Sequence, residues 1–392
     1  MPSARGAHIM TTSSDRILTT LVGSLPRPDE LADLLVAREN GEPVDDNLFN
    51  DAVDKAVAEA VRTQVALGID IISDGEMSKI GFSTYIKDRC SGFSGDSPRV
   101  APGDLELFPD YMAQAAAQNQ APPIKRPVCS GDIHVVNRKP LERDIARFKK
   151  ELANSNAVGG FMNASSPGII YTSLPNEYYA SDDDYLEALG KVMQEEFEAI
   201  HAAGLTLQVD CPDLAMARHI KYKTLSDDEF LREAGKQLEV LNAALSNIPS
   251  ESVRLHICWG NYEGPHHLDI PLRKIASLVC EAKAQTLSFE ASNLRHAHEA
   301  EVWREINLAD DKILMPGVID TCTNYIDHPE LVAERIGRFA NIVGRERVLA
   351  GTDCGFGTFT KFGRVNPSIA MEKLSSLVQG AALASAQLWG RA

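Results

Sequence analysis

Residues 253–291 read VRLHICWGNYEGPHHLDIPLRKIASLVCEAKAQTLSFEA, and this stretch contains the repeating unit from which the fold follows. It begins with the apolar run VRLHICWG (253–260) and ends with a second such run, TLSFEA (286–291). Between them, residues 271–284 carry apolar side chains at the spacing of an amphipathic helix. A strand, a helix and a second strand in this order predict two parallel strands joined by a helical crossover.

The same alternation extends over most of the chain. Short apolar runs recur, and stretches rich in Ala, Leu, Glu and Lys at helical spacing separate most of them. The predicted strands are 17–24, 69–76, 159–167, 205–210, 253–260, 286–291, 313–320 and 347–355, with a further candidate at 127–133. The predicted helices are 48–67, 183–203, 227–247, 271–284, 296–307, 329–343 and 367–388. Eight such units close into a (β/α)8 TIM barrel, so the predicted fold class is α/β.

The candidate strand at 127–133 is the one that we leave out of the barrel. It lies in a Pro- and Asp-rich region, about 86–150, where helical units are unclear. We interpret this region as an insertion after the second βα unit. Residues 1–16 are predicted to be a flexible leader, and residues 17–392 a single barrel domain. A doubly wound open sheet is the competing fold, but no G-x-G-x-x-G follows the first strand.

The composition is that of an ordinary soluble globular protein, with 44% hydrophobic and 24% charged residues. The formal net charge of −16 argues against nucleic acid or an anionic membrane as the main partner. No apolar run approaches the roughly 20 residues that span a bilayer, and no signal peptide is visible. Seven scattered cysteines, an odd number, indicate reduced thiols and therefore a cytoplasmic location. A homo-oligomer is left open.

The ends of the predicted strands carry most of the chemistry. In a barrel of this kind the active site forms at the C-terminal ends of the strands. Polar, acidic or sulfur-containing residues end all eight predicted strands: Gly23-Ser24, Asp74 and Glu76, Asn163 to Ser166, Asp210-Cys211, His256 and Cys258, Glu290, Asp320, and Asp353-Cys354. A purely structural barrel need not end its strands in this way, so the pattern indicates an enzyme.

Four of these strand-end residues have the chemistry of a zinc site: His256, Cys258, Glu290 and Cys354. Residues i and i+2 on a strand point to the same side, so His256 and Cys258 can face one ion. Thiolate ligands argue against Mg²⁺ or Ca²⁺. The alternative interpretation is that both cysteines are small buried apolar residues and His256 is a core histidine with satisfied hydrogen bonds.

Several motifs taken together resemble a known family. They are TTLVGSLPRP, DGEMSK, LQVDCPDLA, RLHICWGNYEGPH, LSFEASNLRHAHE, MPGVIDTCTN and GTDCGFG, and the resemblance runs from about residue 17 to 388. It is to the catalytic half of cobalamin-independent methionine synthase and, more closely, to its single-barrel relatives, which include the epoxyalkane:coenzyme M transferases. In this family a zinc ion binds a thiol substrate, and the thiolate attacks an alkyl carbon. The resemblance implies Zn²⁺ as cofactor, with His256, Cys258, Glu290 and Cys354 as its ligands and as the catalytic residues.

The resemblance also implies a binding site for homocysteine. Gly23 and Ser24 would hold its carboxylate, and Glu76 with Asp210 would hold its α-ammonium. These two acids favour homocysteine over coenzyme M, which has a sulfonate and no ammonium. Arg27 is a candidate contact for a carboxylate or a sulfonate and keeps coenzyme M open.

The side of the alkyl donor departs from the family pattern. Cys322 stands where the full-length synthase has a His that protonates the departing folate nitrogen, and Cys is a poor general acid for this task. The folate-stacking Trp is also missing from NASSPGIIYTS (163–173). The expected reaction is transfer of a methyl or other alkyl group to a small-molecule thiol, giving a thioether such as methionine. The donor is left open between a corrinoid, a folate, a simpler methylated compound and an epoxide.

Two other activities remain as alternatives. One is an epoxyalkane:thiol transferase that uses coenzyme M or a glutathione-like thiol, and the other is a demethylase acting on another small methylated compound. The roles of four further histidines are also open: His266, His267, His296 and His298.

Overall fold

The computed structural model describes residues 12–118, 124–363 and 365–390, so most of the predicted leader lies outside the described residues. The strands are β1 (Leu18–Thr19), β2 (Ile71–Ile72), β3 (Phe93–Ser94), β4 (Val128–Cys129), β5 (Gly159–Ser165), β6 (Thr206–Asp210), β7 (Val253–His256), β8 (Thr286–Phe289), β9 (Ile313–Ile319) and β10 (Leu349–Thr352). Eight of them form one sheet in the order β1-β10-β9-β8-β7-β6-β5-β2, with neighbours parallel. A parallel bridge between Thr20 and Ile71 joins the two end strands, so the sheet closes into a barrel.

Helices surround this barrel. The α-helices are α1 (Asp29–Asn40), α2 (Asp46–Leu67), α3 (Gly103–Glu106), α4 (Pro109–Gln118), α5 (Lys139–Ala153), α6 (Pro167–Ser173), α7 (Asp182–Ala202), α8 (Asp227–Ala244), α9 (Leu272–Cys280), α10 (Val302–Glu305), α11 (Pro329–Val343) and α12 (Pro367–Trp389). Short 3₁₀ turns lie at Tyr85–Asp88, Pro212–Leu214, Met216–His219, Ser250–Ser252, Ala297–Glu301 and Arg345–Arg347. Among the described residues, no helix has both the length and the apolar content needed to cross a membrane.

This architecture confirms the predicted TIM barrel. Each of the eight barrel strands lies inside one of the eight predicted strand segments. The strands are apolar on both faces because one face lines the barrel interior and the other packs against helices, as is usual for parallel sheets. The candidate at 127–133 contains β4, which pairs only with β3, in an antiparallel hairpin outside the barrel. Leaving it out of the barrel is therefore confirmed.

The additional residues lie between the second and third barrel strands, as predicted, but they come before the helix of the second unit and not after it. The predicted bounds of about 86–150 also include most of α5. Within this span α5 packs against α2 and therefore occupies the helix position of the second unit. The extra residues are thus those between β2 and α5, and they include the β3–β4 hairpin, α3 and α4. Because they follow a strand, they lie on the C-terminal side of the barrel, where a TIM barrel carries its active site.

The helix ends follow local signals in the sequence, with one exception. Ser226 and Glu229 form a capping box at the start of α8. In the predicted helix 296–307, by contrast, only Val302–Glu305 is α-helical, and a 3₁₀ turn precedes it. Residues three apart face each other in a 3₁₀ turn, which matches the contact of His296 Nδ1 with Glu299 Oε2 at 2.8 Å.

A buried guanidinium connects the barrel interior to the first strand end. Arg254 lies two residues before His256 on β7 and is fully buried, with its guanidinium 3.8 Å from the ring centre of Phe161. It donates to Thr20 Oγ1 at 3.2 Å and to the Leu21 carbonyl at 3.0 Å. These bonds fix the chain just before Gly23, so the interior layer of the barrel positions the loop that follows β1.

Candidate functional site

Three predicted ligands meet at the C-terminal end of the barrel. His256, at the end of β7, and Cys258, two residues later, lie beside Cys354, two residues after β10. A ligand atom from each of the three lies within 4.8 Å of the others, and all three residues are buried. The two sulfur atoms are 3.7 Å apart. We call these residues the His-Cys-Cys triad.

One ring nitrogen of the triad histidine contacts a protein side chain, and the other has no such contact among the described residues. His256 Nδ1 lies 3.2 Å from Ser288 Oγ, which faces it from β8. His256 Nε2 is buried and has no hydrogen-bond partner among the described residues. Burial, and then the nearby Arg254, lower the pKa of His256 to about 3. The ring is therefore neutral, which is the form that binds a metal.

Glu290, the fourth predicted ligand, lies near the triad but does not join it in this structure. Its Oε1 accepts the Trp259 backbone N–H at 2.8 Å, and its Oε2 accepts Asn293 Nδ2 at 2.6 Å. Both carboxylate oxygens therefore already have donors. Its role as a ligand stays a prediction.

Asp353 shapes the turn that carries Glu290. It accepts the backbone N–H groups of Ala291, Ser292 and Asn293 at 2.8–2.9 Å. Burial, and then repulsion from Glu290, raise the pKa of Asp353 to about 7. The residue that contacts the His256 ring is Ser288, which the sequence analysis missed. Its place opposite His256 depends on the register of β7 and β8, for which the sequence carries no signal.

A buried acid pair forms a second group of polar residues in the site. Burial, and then repulsion from Glu76, raise the pKa of Asp210 to about 7, and burial is also the first cause of the raised pKa of Glu76. Asp210 accepts Gln208 Nε2 at 2.7 Å and Asn163 Nδ2 at 3.0 Å. Burial alone would lower the pKa of Lys79, but the neighbouring carboxylates, Glu76 first, raise it. Sequence reasoning missed Lys79 and Gln208, and it named Asn163 only as a polar residue at a strand end.

Several oxygens around this pair lack a donor. Within the described part of the chain, Glu76 Oε2, Asn163 Oδ1 and Gln208 Oε1 are buried without a hydrogen-bond partner. Glu76 also has a positive φ of 56°, which is unusual for a residue with a side chain. Buried acceptors of this kind normally find a donor, so their number here points to a ligand that supplies one.

Gly23 and Ser24 lie next to both groups. Gly23 has a φ of 149°, and a Cβ atom at this position would overlap the side-chain oxygen of Asn163. Ser24 Oγ accepts the Gly357 N–H at 3.3 Å, and its carbonyl accepts the Phe356 N–H at 2.8 Å. The loop after β1 is thus packed against the loop after Cys354.

The Arg27 guanidinium is bound to two backbone carbonyls. It donates to the Glu76 carbonyl at 2.8 Å and to the Gly357 carbonyl at 2.6 Å. Burial lowers the pKa of Arg27. The side chain joins the backbones of the loops after β2 and β10, and it is not part of the cavity lining described below. In this structure Arg27 supports the backbone at Glu76, and its role as a contact for a carboxylate or a sulfonate stays a prediction.

Cys322 lies near the triad, and Asn261 connects it to the loop after Cys354. The Cys322 Sγ is 3.2 Å from Asn261 Oδ1, and burial raises the pKa of its thiol well above the ordinary value. Asn261 also donates to the Gly355 carbonyl at 2.7 Å. Cys322 is therefore a neutral thiol held against a polar side chain.

Two of the four open histidines belong to a buried structural cluster. Asp269 Oδ2 contacts His266 Nδ1 at 3.0 Å and His296 Nε2 at 3.2 Å. His266 Nε2 lies 2.8 Å from the Tyr262 carbonyl, so the cluster fixes the loop after Cys258. His267 and His298 are exposed.

One cavity connects the triad and the acid pair. It has a volume of about 370 Å³ and is lined by Glu76 and Asp210 as well as by the three triad residues. Ser24 also lines it. This volume lies in the range of small-molecule sites. The cavity can therefore hold one small ligand against both groups.

The triad fits a zinc ion on two observations from its own residues. The orphaned Nε2 of His256 is buried, and a buried ring nitrogen without a partner is costly unless it binds something. Two sulfur atoms and an imidazole nitrogen are donors that zinc prefers. A three-residue protein set also leaves room for a further ligand, as catalytic zinc sites do.

Comparisons with known proteins agree with this geometry. A family model described as the catalytic domain of cobalamin-independent synthase matches residues 17–97 and 108–379. The chain is 25% identical over 371 residues to a methionine synthase of Thermococcus kodakarensis, covering 94% of each chain. It is also 25% identical over 404 residues to a 2-hydroxypropyl-CoM lyase of Xanthobacter autotrophicus, covering 95% of this chain and 96% of that one.

Solved structures show the same fold. A B12-independent methionine synthase from Shewanella sp. W3-18-1, in complex with selenomethionine, superposes with a TM-score of 0.73 at 20% identity, covering 96% of this chain and 99% of that chain. A second match, to a B12-independent methionine synthase from Listeria monocytogenes described as putative, has a TM-score of 0.64 at 16% identity and covers 94% of this chain and 98% of that chain.

Proposed function

Because the chain belongs to the catalytic-domain family of the cobalamin-independent synthases, we propose that it is a zinc-dependent transferase. It would move a methyl or other alkyl group to the sulfur of homocysteine. The product would be a thioether, which is methionine when the group is methyl. The observation that carries the proposal is the single cavity that is lined both by the His-Cys-Cys triad and by the buried Glu76–Asp210 pair. An amino-acid thiol needs both a place for its sulfur and a place for its ammonium.

The triad supplies the place for the sulfur. His256, Cys258 and Cys354 would hold the zinc ion, and Glu290 would join or leave them as its hydrogen bonds to Trp259 and Asn293 change. Bound zinc would lower the pKa of a coordinated thiol, whose ordinary value is about 8.5, so that a thiolate exists at neutral pH. Ser288 holds the His256 ring in the orientation that leaves its Nε2 open.

The acid pair supplies the place for the ammonium. Glu76 Oε2 has no donor among the residues that the structure describes, and Asp210 faces it from the end of β6. Burial is the first cause of the raised pKa of both acids, and an ammonium between them would favour their charged forms, so binding of a cation there is favourable. The Ser24 hydroxyl and the backbone around Gly23 are placed to receive the carboxylate. A sulfonate thiol would gain nothing from two buried acids, which favours homocysteine over coenzyme M.

The chemical step is a displacement at carbon. The homocysteine sulfur forms a bond to the alkyl carbon, the bond from that carbon to the donor heteroatom breaks, and its electron pair leaves with the heteroatom. The thiol proton is released to solvent when the substrate binds. The protein contributes mainly by fixing the sulfur and the amino-acid group, so that the attack becomes effectively unimolecular. Cys322 is a neutral thiol of high pKa, and no step of this displacement uses its proton.

Replacing Cys354 with Ser tests this proposal. We expect the variant to lose bound zinc and alkyl transfer together, because one of three converging ligand atoms is removed. Zinc content is measured by mass spectrometry after dialysis, and turnover with a panel of thiols that includes homocysteine, coenzyme M and glutathione. Cys280→Ser is the matched control, since Cys280 lies on α9 away from the cavity. Full turnover by Cys354→Ser without zinc would refute the proposal, and turnover only with coenzyme M would refute the choice of homocysteine.

A further inference from the structure

The cavity has a second half that the thiol does not use. Its wall is formed by the residues between β2 and α5, which supply cavity-lining side chains from residues 99–105 and 124–126. We call these residues the insertion wall. The triad and the acid pair, in contrast, come from the ends of barrel strands. Because the thiol would occupy the strand ends, the insertion wall faces the space left for the alkyl donor.

This second half of the cavity is mainly apolar. Three aromatic rings from two different loops lie together in its lining: Phe82 and Phe359 with ring centres 6.0 Å apart, and Phe362 with its centre 6.3 Å from that of Phe359. Leu105 of the insertion wall and Ile169 of α6 add aliphatic surface. Apolar walls of this kind bind the apolar body of a ligand, because burying such a body is favourable.

Four cationic side chains also line this half: Arg99, Lys125, Arg126 and Lys221. The Arg99 guanidinium donates to the Ile124 carbonyl at 2.6 Å, and that of Arg126 donates to backbone carbonyls of Pro98 and Ser173. Burial lowers the pKa of Arg126, and repulsion from Arg99 adds to this, so these two charges lie near each other. In the described parts of the chain, none of the four forms an ion pair with a carboxylate within 4 Å.

This group of cations stands out against the charge of the whole chain. The formal net charge is −16, yet four positive side chains line one small cavity without a paired carboxylate. Clefts lined by one sign of charge concentrate ligands of the opposite sign. The acid pair at the other end of the same cavity has the opposite preference, so the two ends select different groups.

From these observations we infer that the insertion wall binds the alkyl donor, and that the donor is a small electrophile with an apolar body that ends in an anionic group. The inference rests on the proposed function, since it assigns the remaining space of that site. The cavity volume of about 370 Å³, part of which the thiol fills, sets the donor in the size range of ordinary small molecules. The aromatic rings hold the apolar body, and the four cations hold the anionic end.

Two dyes that differ in one charge provide the test. Anilinonaphthalene sulfonate has an apolar ring system with an anion, and phenylnaphthylamine has the same ring system without it. Their affinities for the zinc-loaded full chain are measured by fluorescence titration. We expect the sulfonate dye to bind at least about tenfold more tightly, and this preference to shrink with added salt. Equal affinities of the two dyes would overturn the inference.

Lys125 and Lys221 are the most suitable residues to change, because both are exposed, although the Lys221 ammonium also lies 3.4 Å from the ring centre of Tyr171. Lys125→Gln and Lys221→Gln should each weaken the sulfonate dye about threefold, the size of a partly exposed charge contact, and leave the neutral dye unchanged. Lys55→Gln, an exposed position on α2, is the control and should change neither. Phe362→Ala should weaken both dyes. Unchanged binding of the sulfonate dye to both lysine variants would contradict the inference.

Two further measurements separate the possible outcomes. Octanoate and octyl phosphate are tested as competitors of the sulfonate dye. Displacement of the dye by one of them identifies the anionic end of the donor as a carboxylate or a phosphate. If neither displaces the dye, the inference is overturned. Homocysteine binding is followed independently by the absorption spectrum of the cobalt-substituted protein. If homocysteine changes that spectrum and the two dyes bind equally, only the inference fails. If the spectrum does not change, the proposed function fails, whatever the dyes show.

Discussion

Replacing Asp210 with Asn is the most direct test of the ammonium site. Burial, and then repulsion from Glu76, raise the pKa of Asp210 to about 7. Below this pH the empty site carries a neutral acid, and above it the carboxylate can pair with a cation. We therefore expect the affinity of the wild-type protein for methionine, which has the ammonium but no thiol, to rise as the pH increases from about 5.5 to about 8.5.

The expected loss of methionine affinity is that of the bond between the Asp210 carboxylate and the ligand ammonium. The two Asp210 oxygens accept Gln208 Nε2 at 2.7 Å and Asn163 Nδ2 at 3.0 Å, and an Asn at this position could accept only one of these donors. Losing a hydrogen bond between a carboxylate and an ammonium costs about 1.5–3 kcal/mol, which corresponds to about tenfold to 150-fold in Kd. The full factor applies above pH 7 and decreases below it, because the wild-type acid is then also neutral.

Calorimetric titration with methionine at three pH values measures this factor. Asp213→Asn is the matched control, because burial raises the pKa of Asp213 to about 7 as well, but Asp213 is bound to Ser166 Oγ at 2.5 Å and does not line the cavity. Thermal unfolding is recorded in parallel. An acid with a raised folded pKa makes the folded state less stable as pH rises from about 4 to about 7, and either substitution removes that effect. The reasoning is refuted if Asp210→Asn has the same deficit at every pH, or if Asp213→Asn reproduces it.

Two further substitutions test the surroundings of the site. Gly23→Ala should weaken methionine binding at least about tenfold in the same titration, because its methyl group would displace the Asn163 side chain. Gly41→Ala is the control, since Gly41 also has a positive φ but lies in open space. It should only lower the free energy of unfolding, by about 1 kcal/mol. Equal binding by both glycine variants would contradict this. Ser288→Ala should weaken zinc binding about tenfold in a chelator competition, because the His256 ring loses its support, and unchanged zinc affinity would show that the serine does not orient the ring.

The sequence predicted those parts of the molecule that depend on local periodicity. The barrel strands were found because they are short, apolar and regularly spaced, and the pair His256 and Cys258 because alternate residues of a strand share a face. Cys354 lies 96 residues after Cys258 and joined the set because it ends another predicted barrel strand with a thiol, and the resemblance to a family implied the same ligand. The structure brings these three together, whereas Glu290 is engaged by Trp259 and Asn293.

Residues that support the site were harder to predict, and the reason is physical. Ser288 and Asn163 act through contacts between strands, and such contacts depend on the register of the sheet, which the sequence does not state. Arg27 shows the same limit, because its charge suggested a substrate contact while its guanidinium binds two backbone carbonyls. The insertion wall was unpredictable in detail, since residues 99–105 and 124–126 follow no repeating pattern and their cavity-facing side chains are set by tertiary packing.

A raised pKa does not by itself mark a ligand site in this barrel. Asp210, Asp213 and Asp353 all have a pKa raised to about 7, with burial as the first cause in each case. Asp353 accepts hydrogen bonds from backbone and side-chain donors of the turn that it holds, and Asp213 accepts one from a serine hydroxyl. Asp210 alone of the three lines the cavity, and it faces Glu76, whose Oε2 has no donor among the described residues. Lys79 offsets the effect of burial only in part, so the pKa of each acid stays raised, and the Glu76 oxygen without a donor marks the place where an ammonium would bind.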